Sequence, residues 1–257
     1  MGLAADLATV RILVRRAMNE ILRVPGAAIP GVLARTIFFC GLSAVFGNLT
    51  HLSGFGTDSY QSFILPISML QGAGFTGAAT GVNLARDIEG GWFDRLLASP
   101  APRPALLAGM VLSASLRALI PSIVLLAVGF SIGVEWPGLD GLVVALICVM
   151  ATGAIAACWG VALALHYRTQ SAAPLMQAGM FILVLTTTAY APLALLQGWL
   201  QTIARLNPLT QVVDAMRQGF VDGTVTWAGT WPGLVALAGM LTVLVYFALR
   251  GMGRTSY

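Results

Sequence analysis

The chain has 257 residues, of which 58% are hydrophobic and only 9% charged, and its mean hydropathy is +0.85. This composition excludes a soluble globular domain and indicates a polytopic membrane protein built only from helices. The net charge of +4 is spread over several loops and is not clustered with aromatic residues, so we expect no nucleic-acid partner.

The first 25 residues predict an amphipathic helix. At 100° per residue one face is apolar and the opposite face carries most of the arginines of the segment. The apolar face comprises Leu3, Leu7, Val10, Val14, Ala17, Met18 and Ile21. We expect this helix to lie flat on the inner leaflet and contact membrane lipids, with Pro25-Gly26 ending it. The same pattern would also suit packing on a soluble partner.

Six apolar segments follow, each long enough to cross a hydrocarbon core of about 30 Å. They are Ala27 to Gly47, Gln61 to Val82, Ala105 to Ile132, Leu139 to Leu165, Ala172 to Leu196 and Gly229 to Leu249. The three cysteines, Cys40, Cys148 and Cys158, fall inside these segments without metal-binding spacing, so we expect them to pack as small apolar residues.

Arginine supplies all fourteen basic side chains and predicts the orientation. With six spans, ten arginines fall on the side of the two termini and of the loop 83–104, whereas only Arg205 and Arg217 fall on the other side. The positive-inside rule therefore places both termini, including the tail 250–257, in the cytoplasm and predicts a multi-pass protein of the cell membrane.

The segment 83–104 concentrates six charged residues between two apolar runs. Those charges have to leave the lipid. Trp92, Phe93, Leu96 and Leu97 predict a short amphipathic helix there, ended by Ser99-Pro100 because the residue before a proline is pushed out of the helical region.

A second helical loop is predicted at 197–228, before the last span. Asn207-Pro208 is typical of an N-cap followed by proline at the first helical position. Two short re-entrant helices dipping into the outer interface fit this segment, with Trp199 as an interface anchor.

Two motifs occur in order along the chain. The first motif is Asp87-Ile88-Glu89-Gly90 with Asp94-Arg95-Leu96 and Ser99-Pro100; the second is Trp199-Leu200 with Asn207-Pro208-Leu209-Thr210 and Arg217. Together they resemble the membrane subunit of type-2 ABC exporters, and in particular the daunorubicin-resistance-type permeases. The resemblance covers nearly the whole chain.

The resemblance implies that the loop 83–104 contains a coupling helix that docks on a separate ATP-binding subunit. The residues implied in this contact are Asp87, Glu89, Gly90, Trp92, Phe93, Asp94, Arg95 and Leu96. It further implies an outer interfacial motif of Trp199, Asn207, Pro208 and Arg217. From composition alone, a solvated loop with local ion pairs would account for the same charges in the first motif.

The absence of lysine bears on the energy source. A phosphate-binding loop of the form G-x-x-x-x-G-K-[ST] needs a lysine, so this chain has no such ATP site. The resemblance implies ATP and Mg²⁺ on the partner subunit, with no cofactor on this chain, and a second permease copy or a homologous permease beside it. The substrate expected is hydrophobic or amphipathic: a drug, a lipid or a lipid-linked glycan.

Polar residues within the spans are candidates for the lining of a translocation path. Arg117 would cost about 3 kcal/mol facing lipid at the bilayer centre, so it should face protein, water or substrate. Snorkelling, or pairing with a backbone carbonyl such as the one that Pro121 frees, would account for it equally well. Gln71 and Gln177 could line the same path or bond between helices. Gly77 and Gly81, four residues apart, suit close helix approach.

Three other functional classes are alternatives to the exporter. A gradient-driven transporter usually needs a carboxylate deep in a span, and the sequence places none there. A membrane enzyme would need a catalytic or metal cluster, and the two histidines, His51 and His166, are predicted on opposite sides of the membrane. A structural or regulatory membrane protein stays open as an alternative.

Overall fold

The computed structural model describes residues 3–23, 25–51, 55, 57–97 and 102–254. These residues form ten α-helices and no β-strand. The helices are α1 (Leu3–Arg23), α2 (Pro25–Phe46), α3 (Tyr60–Glu89), α4 (Trp92–Leu97), α5 (Arg103–Ser131), α6 (Gly138–Tyr167), α7 (Ala173–Leu185), α8 (Gly198–Leu206), α9 (Pro208–Arg217) and α10 (Trp227–Arg254). Ser99-Pro100, predicted to end the helix after Trp92, lies outside the described residues.

Helix α3 lies at the centre of the bundle and packs against α2, α5, α6 and α7. It begins at a serine cap, because the Ser59 side chain accepts a hydrogen bond from the Ser62 backbone N–H. It ends at Gly90, and Gly91 then adopts a φ of 69°, which glycine tolerates without strain. At 1.5 Å per residue its 30 residues extend about 45 Å, enough to separate two ends of the molecule.

The contact between α3 and α6 depends on glycine. A β-carbon on Gly77 would collide with the backbone carbonyl of Gly153, and one on Gly81 would collide with the backbone of Gly160. Small residues let two helix backbones touch in this way. The prediction that Gly77 and Gly81 permit close helix approach is therefore confirmed.

Among the described residues, four helical segments are long and apolar enough to cross a membrane. They are Gly31–His51, Arg103–Ser131, Gly138–Tyr167 and Trp227–Gly253. They correspond to the first, third, fourth and sixth predicted spans. The second predicted span lies in α3, which is more polar; its many neighbours bury it, so it needs less apolar surface than a lipid-facing helix does.

The fifth predicted span, Ala172 to Leu196, is wrong as one continuous helix. Helix α7 has 13 residues and rises only about 20 Å. Its last turn is capped by threonines: the Thr186 hydroxyl donates to the Ile182 carbonyl at 2.9 Å and the Thr187 hydroxyl to the Val184 carbonyl at 2.7 Å. Such side-chain bonds compete with continuation of the helix.

Helix α1 packs along α5 of the same chain. The half-buried Leu13 lies where a β-carbon on Gly109 would meet it at 2.6 Å, so the two helices approach closely. Helix α1 ends at Arg23, and Pro25-Gly26, predicted to separate the two helices, are already the first residues of α2. The side chains of Leu3 and Ile21, expected on the apolar face of α1, lie outside the described part of the structure.

Two ends of the bundle are distinguished below. The α4 end contains Glu89, α4 and the turn 168–172 between α6 and α7. The α9 end contains the start of α3, the segment 186–196 after α7, and helices α8 and α9.

Candidate functional site

Phe93 fixes helix α4 to the bundle. Gly90 and Gly91 end α3 and let the chain turn, and α4 follows with only six residues. The Phe93 ring is completely buried. It belongs to an apolar cluster at the α4 end contributed by five other helices, which includes Leu84, Ile88, Leu106, Leu165, Met176, Ala248 and Met252. A single aromatic side chain therefore anchors α4 in a cluster shared by α3, α5, α6, α7 and α10.

The remaining surface of α4 is open. Trp92, Asp94 and Arg95 are exposed, and Leu96 is half-buried. Gly90, just before the helix, is exposed as well. The predicted short helix is present, with Phe93 inward and two opposite charges outward, but Trp92, predicted on its apolar face, is exposed, and the Leu97 side chain lies outside the described part of the structure.

The Glu89 carboxylate is exposed, but it also bonds the turn between α6 and α7. Glu89 Oε1 accepts a hydrogen bond from the Thr169 hydroxyl at 2.8 Å and another from the Gln170 backbone N–H at 2.9 Å. These bonds, the one from Thr169 foremost, hold the pKa of the Glu89 carboxyl below its ordinary value. Thr169 also caps the short helical turn that leads into α7.

Arg168 connects the same turn to α4. It ends α6 in the left-handed conformation, with a φ of 55°, and its N–H bonds the Ala164 carbonyl at 2.8 Å. Its guanidinium lies 3.7 Å from Asp94 Oδ1, with both side chains about half exposed. Exposed ion pairs of this kind contribute little to the free energy of unfolding. The pair therefore orients α4 relative to the turn but adds little stability.

Sequence reasoning missed the turn 168–170 as part of this site. No sequence motif includes Arg168, Thr169 or Gln170. A weak local signal was present, because threonine is a favoured cap residue and Thr169 caps the short helical turn Gln170–Ala172 that leads into α7.

Trp92 connects α4 to α1. The Arg16 guanidinium lies 4.2 Å from the centre of the Trp92 ring, within the range of a cation–π interaction. Next to this pair is a cavity of about 130 Å³ that reaches Arg86, Asp87 and Arg117.

Arg117 donates to the neighbouring helix α3 and to its own helix. Its Nη2 donates to the Thr80 hydroxyl on α3 at 2.9 Å, and its Nε donates to the Ser113 carbonyl one turn earlier on α5 at 3.4 Å. The carbonyl pairing expected for Arg117 thus exists, with Ser113 as one acceptor.

The three residues considered for a translocation path are not brought together in one cavity. Arg117 lines the cavity beside Trp92, and neither Gln71 nor Gln177 is among the residues lining it. Gln71 is buried on α3. Gln177 lies on α7, where its Oε1 is buried without a hydrogen-bond partner among the described residues.

At the α9 end, Asn207 caps two helices. Its Oδ1 accepts from the Leu209 N–H at 2.9 Å, and Pro208 takes the first position of α9. Its Nδ2 donates to the Leu183 carbonyl at 2.7 Å and to the Thr186 hydroxyl at 3.0 Å, at the last turn of α7. The predicted N-cap is confirmed, and the second half of its role was not predicted.

Arg217 is buried at the α9 end and holds the segment that follows α7. Its Nη2 donates to the carbonyls of Thr188 and Ala189 at 2.7 and 3.1 Å, and its Nε donates to the Phe63 carbonyl on α3 at 3.2 Å. The guanidinium lies 3.6 Å from the centre of the Phe63 ring. Trp199 on α8, in contrast, is 70% exposed, as expected of an interface anchor.

No metal centre is evident in the part of the chain that is described, since His, Cys, Asp and Glu do not gather there in groups of three or more. Cys148 and Cys158 are buried in apolar surroundings, in agreement with packing.

Comparison with known proteins identifies the chain by its sequence. Residues 8–221 match the family described as "ABC-2 type transporter". The chain belongs to the ABC-2 type transporter family.

Relatives of this ABC-2 family member are permease proteins. It is 28% identical over 245 residues to "Daunorubicin resistance ABC transporter permease protein DrrB1" of Streptomyces coeruleorubidus, with 90% of this chain and 83% of the relative covered. It is 26% identical over 254 residues to "Probable doxorubicin resistance ABC transporter permease protein DrrC" of Mycobacterium tuberculosis, with 97% and 88% covered. The predicted family is therefore confirmed, as is the expectation of a multi-pass transport protein and not an enzyme.

Proposed function

We propose that this ABC-2 family member is the permease subunit of an ATP-driven exporter, and that α4 is the coupling helix on which a separate ATP-binding subunit docks. That subunit carries ATP and Mg²⁺, and this permease works beside a second copy or a homologous permease. The cargo is a hydrophobic or amphipathic molecule, such as a drug, a lipid or a lipid-linked glycan, moved out of the cytoplasm or the inner leaflet.

The construction of α4 is the observation that supports this proposal. A coupling element has to present a surface to its partner and transmit the partner's displacement to the spans. Trp92, Asp94 and Arg95 supply the open surface, and the buried Phe93 belongs to an apolar cluster to which five other helices contribute. Glu89 adds a direct bond to the turn that starts α7.

The proposed topology has six membrane crossings, made by α2, α3, α5, α6, α7 with the segment after it, and α10. The α4 end then faces the cytoplasm with both termini and with α1 on the inner leaflet, and α8 and α9 form the outer helical loop. The arginine distribution supports this orientation, because the segments 3–23 and 83–104 carry seven of the fourteen basic residues, whereas the outer helical loop carries two.

The experiment that tests the docking assignment is charge reversal on the open surface of α4. Arg95→Glu changes an exposed arginine, and Arg205→Glu makes the same change on α8 at the opposite end. The tagged chain is purified in mild detergent, co-purifying proteins are identified by mass spectrometry, and Mg²⁺-dependent ATP hydrolysis of the sample is measured.

We expect an ATP-binding subunit and ATPase activity in the wild type and in Arg205→Glu, and loss of both in Arg95→Glu. Equal yields of the ATP-binding subunit in the two variants would show that α4 is not the docking surface. A wild-type chain that retains no ATP-binding subunit even after crosslinking in membranes would count against the exporter itself.

A further inference from the structure

A groove of about 710 Å³ opens between α6 and α10 at the α4 end. Most of its wall is apolar. The lining residues are Trp159, Ala162, Leu163, Leu165, His166, Arg168, Leu244, Phe247, Arg250 and Gly251. The Trp159 ring N–H donates to the Met176 carbonyl on α7 at 3.2 Å, which holds this side chain in place. Phe247 is 52% exposed.

The rim of the groove at the α4 end is basic. Arg168, at the end of α6, and Arg250, in the last turns of α10, lie on its two sides, with His166 beside Arg168. No carboxylate is among the lining residues that the structure describes. Asp94 is the nearest acidic partner recorded for Arg168, at 3.7 Å, and the Arg250 guanidinium donates to the Tyr246 hydroxyl at 3.3 Å.

We propose that this groove binds an anionic phospholipid, with its phosphate between Arg168 and Arg250 and an acyl chain along the wall of Trp159, Leu163 and Phe247. Basic pockets between membrane helices suit acidic lipid headgroups, and the guanidinium matches a phosphate in geometry and charge. The apolar wall that continues from the basic rim selects a lipid over a soluble phosphate.

The positive charge of the rim also argues against a second copy of this chain as the occupant of the groove. In a two-fold contact centred on the groove, Arg168 and Arg250 of one copy would face the same arginines of the other. Like charges brought together in this way oppose association.

The site has a built-in competitor. Asp94 on α4 and the lipid phosphate would share one guanidinium, that of Arg168. Lipid binding should therefore draw Arg168 away from α4, and removing the Asp94 charge should strengthen lipid binding. The proposal uses the orientation proposed above, which places the α4 end at the inner leaflet, but it does not require α4 to dock an ATPase.

The test is retention of phospholipid by the full-length chain, purified in detergent and supplied with mixed phosphatidylglycerol and phosphatidylcholine. Native mass spectrometry counts the bound lipids. We expect selective retention of phosphatidylglycerol, weakened about five-fold by Arg250→Gln and again by Arg168→Gln, since one arginine near the headgroup contributes about 1 kcal/mol. Arg205→Gln, at the opposite end, is the charge control.

Two further variants separate binding from loss of structure. Ala162→Trp fills the groove without changing its charge and should lower retention, whereas Val143→Trp, on an exposed part of α6 near its start, should not. Asp94→Asn should raise retention several-fold, a direction that damage to the fold would not produce.

The occupant is checked by replacing Phe247 with a photo-crosslinking phenylalanine derivative in membranes. A crosslink to phospholipid supports the proposal, and a crosslink to a second copy of the chain would overturn it. Equal retention of the two lipids, or retention unaffected by Arg168→Gln with Arg250→Gln, would overturn it as well. Each of these readouts is independent of ATPase docking, so failure of the Arg95→Glu experiment leaves this test intact.

Discussion

Helix α7 is held at both of its ends, but by different kinds of interaction. At the α4 end, the exposed Glu89 carboxylate bonds Thr169 and the Gln170 backbone just before α7 begins. At the α9 end, Asn207 and the buried Arg217 bond the last turn of α7 and the segment after it. The bonds to Glu89 and to Arg217 both involve α3, and Glu89 and Phe63 lie about 39 Å apart along that helix at 1.5 Å per residue.

The interactions at the two ends of α7 differ in how easily they break. Bonds to an exposed carboxylate exchange with water at small cost. A buried guanidinium with several carbonyl partners does not, because loss of one side leaves unpaired polar groups inside the protein. The α9 end is therefore the fixed end of α7, and the α4 end is the end that a partner could displace.

The largest effect is expected from the fixed end. Arg217→Met should lower the free energy of unfolding by about 4 kcal/mol, since the carbonyls of Phe63, Thr188 and Ala189 lose their donor while buried. Thermal unfolding in detergent measures this. The matched control is Arg205→Met on α8, where the arginine is exposed; similar losses in both variants would contradict the assignment of a fixed end.

Phe93 is the buried anchor of α4, at an end of the bundle where the other contacts of α4 are exposed. Phe93→Ala leaves a cavity among the ends of five other helices and should cost about 3 kcal/mol, with α4 becoming accessible to protease. Phe38→Ala, on an exposed part of α2, should cost far less. If the two variants unfold at the same temperature and are cleaved alike, Phe93 does not anchor α4.

The double cap at Asn207 can be dissected by two substitutions. Asn207→Ala removes both caps and should cost about 2 kcal/mol, one part for the start of α9 and one for the end of α7. Asn207→Ser keeps a hydroxyl acceptor for α9 but cannot make the amide's bonds to α7, so about half of the loss should return. A serine variant as unstable as the alanine variant would show that the bond to α7 dominates.

The smallest effect on stability is expected from Glu89→Gln, and its signature is pH dependence. The pKa of Glu89 is lowered in the folded protein, so its contribution is present above the ordinary value of 4.5 and is lost as the pH falls through the lowered pKa. Protection of the Gln170 amide from hydrogen exchange should follow this course in the wild type. In Glu89→Gln that protection should be weaker and independent of pH over the same range; unchanged protection would exclude the bond from Glu89.

The comparison of the two ends also explains what the sequence could predict. The long apolar runs and Asn207-Pro208 carry local signals, so the helices α5, α6 and α10 and the start of α9 were predictable from neighbouring residues alone. The end of α7 was not. Threonine and alanine keep the segment after Leu185 moderately apolar, and the partner that holds it, Arg217, comes 29 residues after Thr188.

The candidate site divides in the same way. The short helix at Trp92 follows from its pattern, but the pattern does not say which aromatic residue is buried, and the structure buries Phe93 and leaves Trp92 exposed. The bond between Glu89 and Thr169 joins residues 80 positions apart. One sequence carries no record of such a pair, because either residue alone is an ordinary surface residue.

The glycines between α3 and α6 limit how the bundle can change shape. Backbone meets backbone at Gly77 with Gly153 and at Gly81 with Gly160, with no side chains between them to change rotamer. Close packing of this kind leaves little free space for one helix to slide or tilt against the other. In the exporter proposed above, we therefore expect α3 and α6 to move as one unit, with changes of shape carried by the helices that pack around this pair.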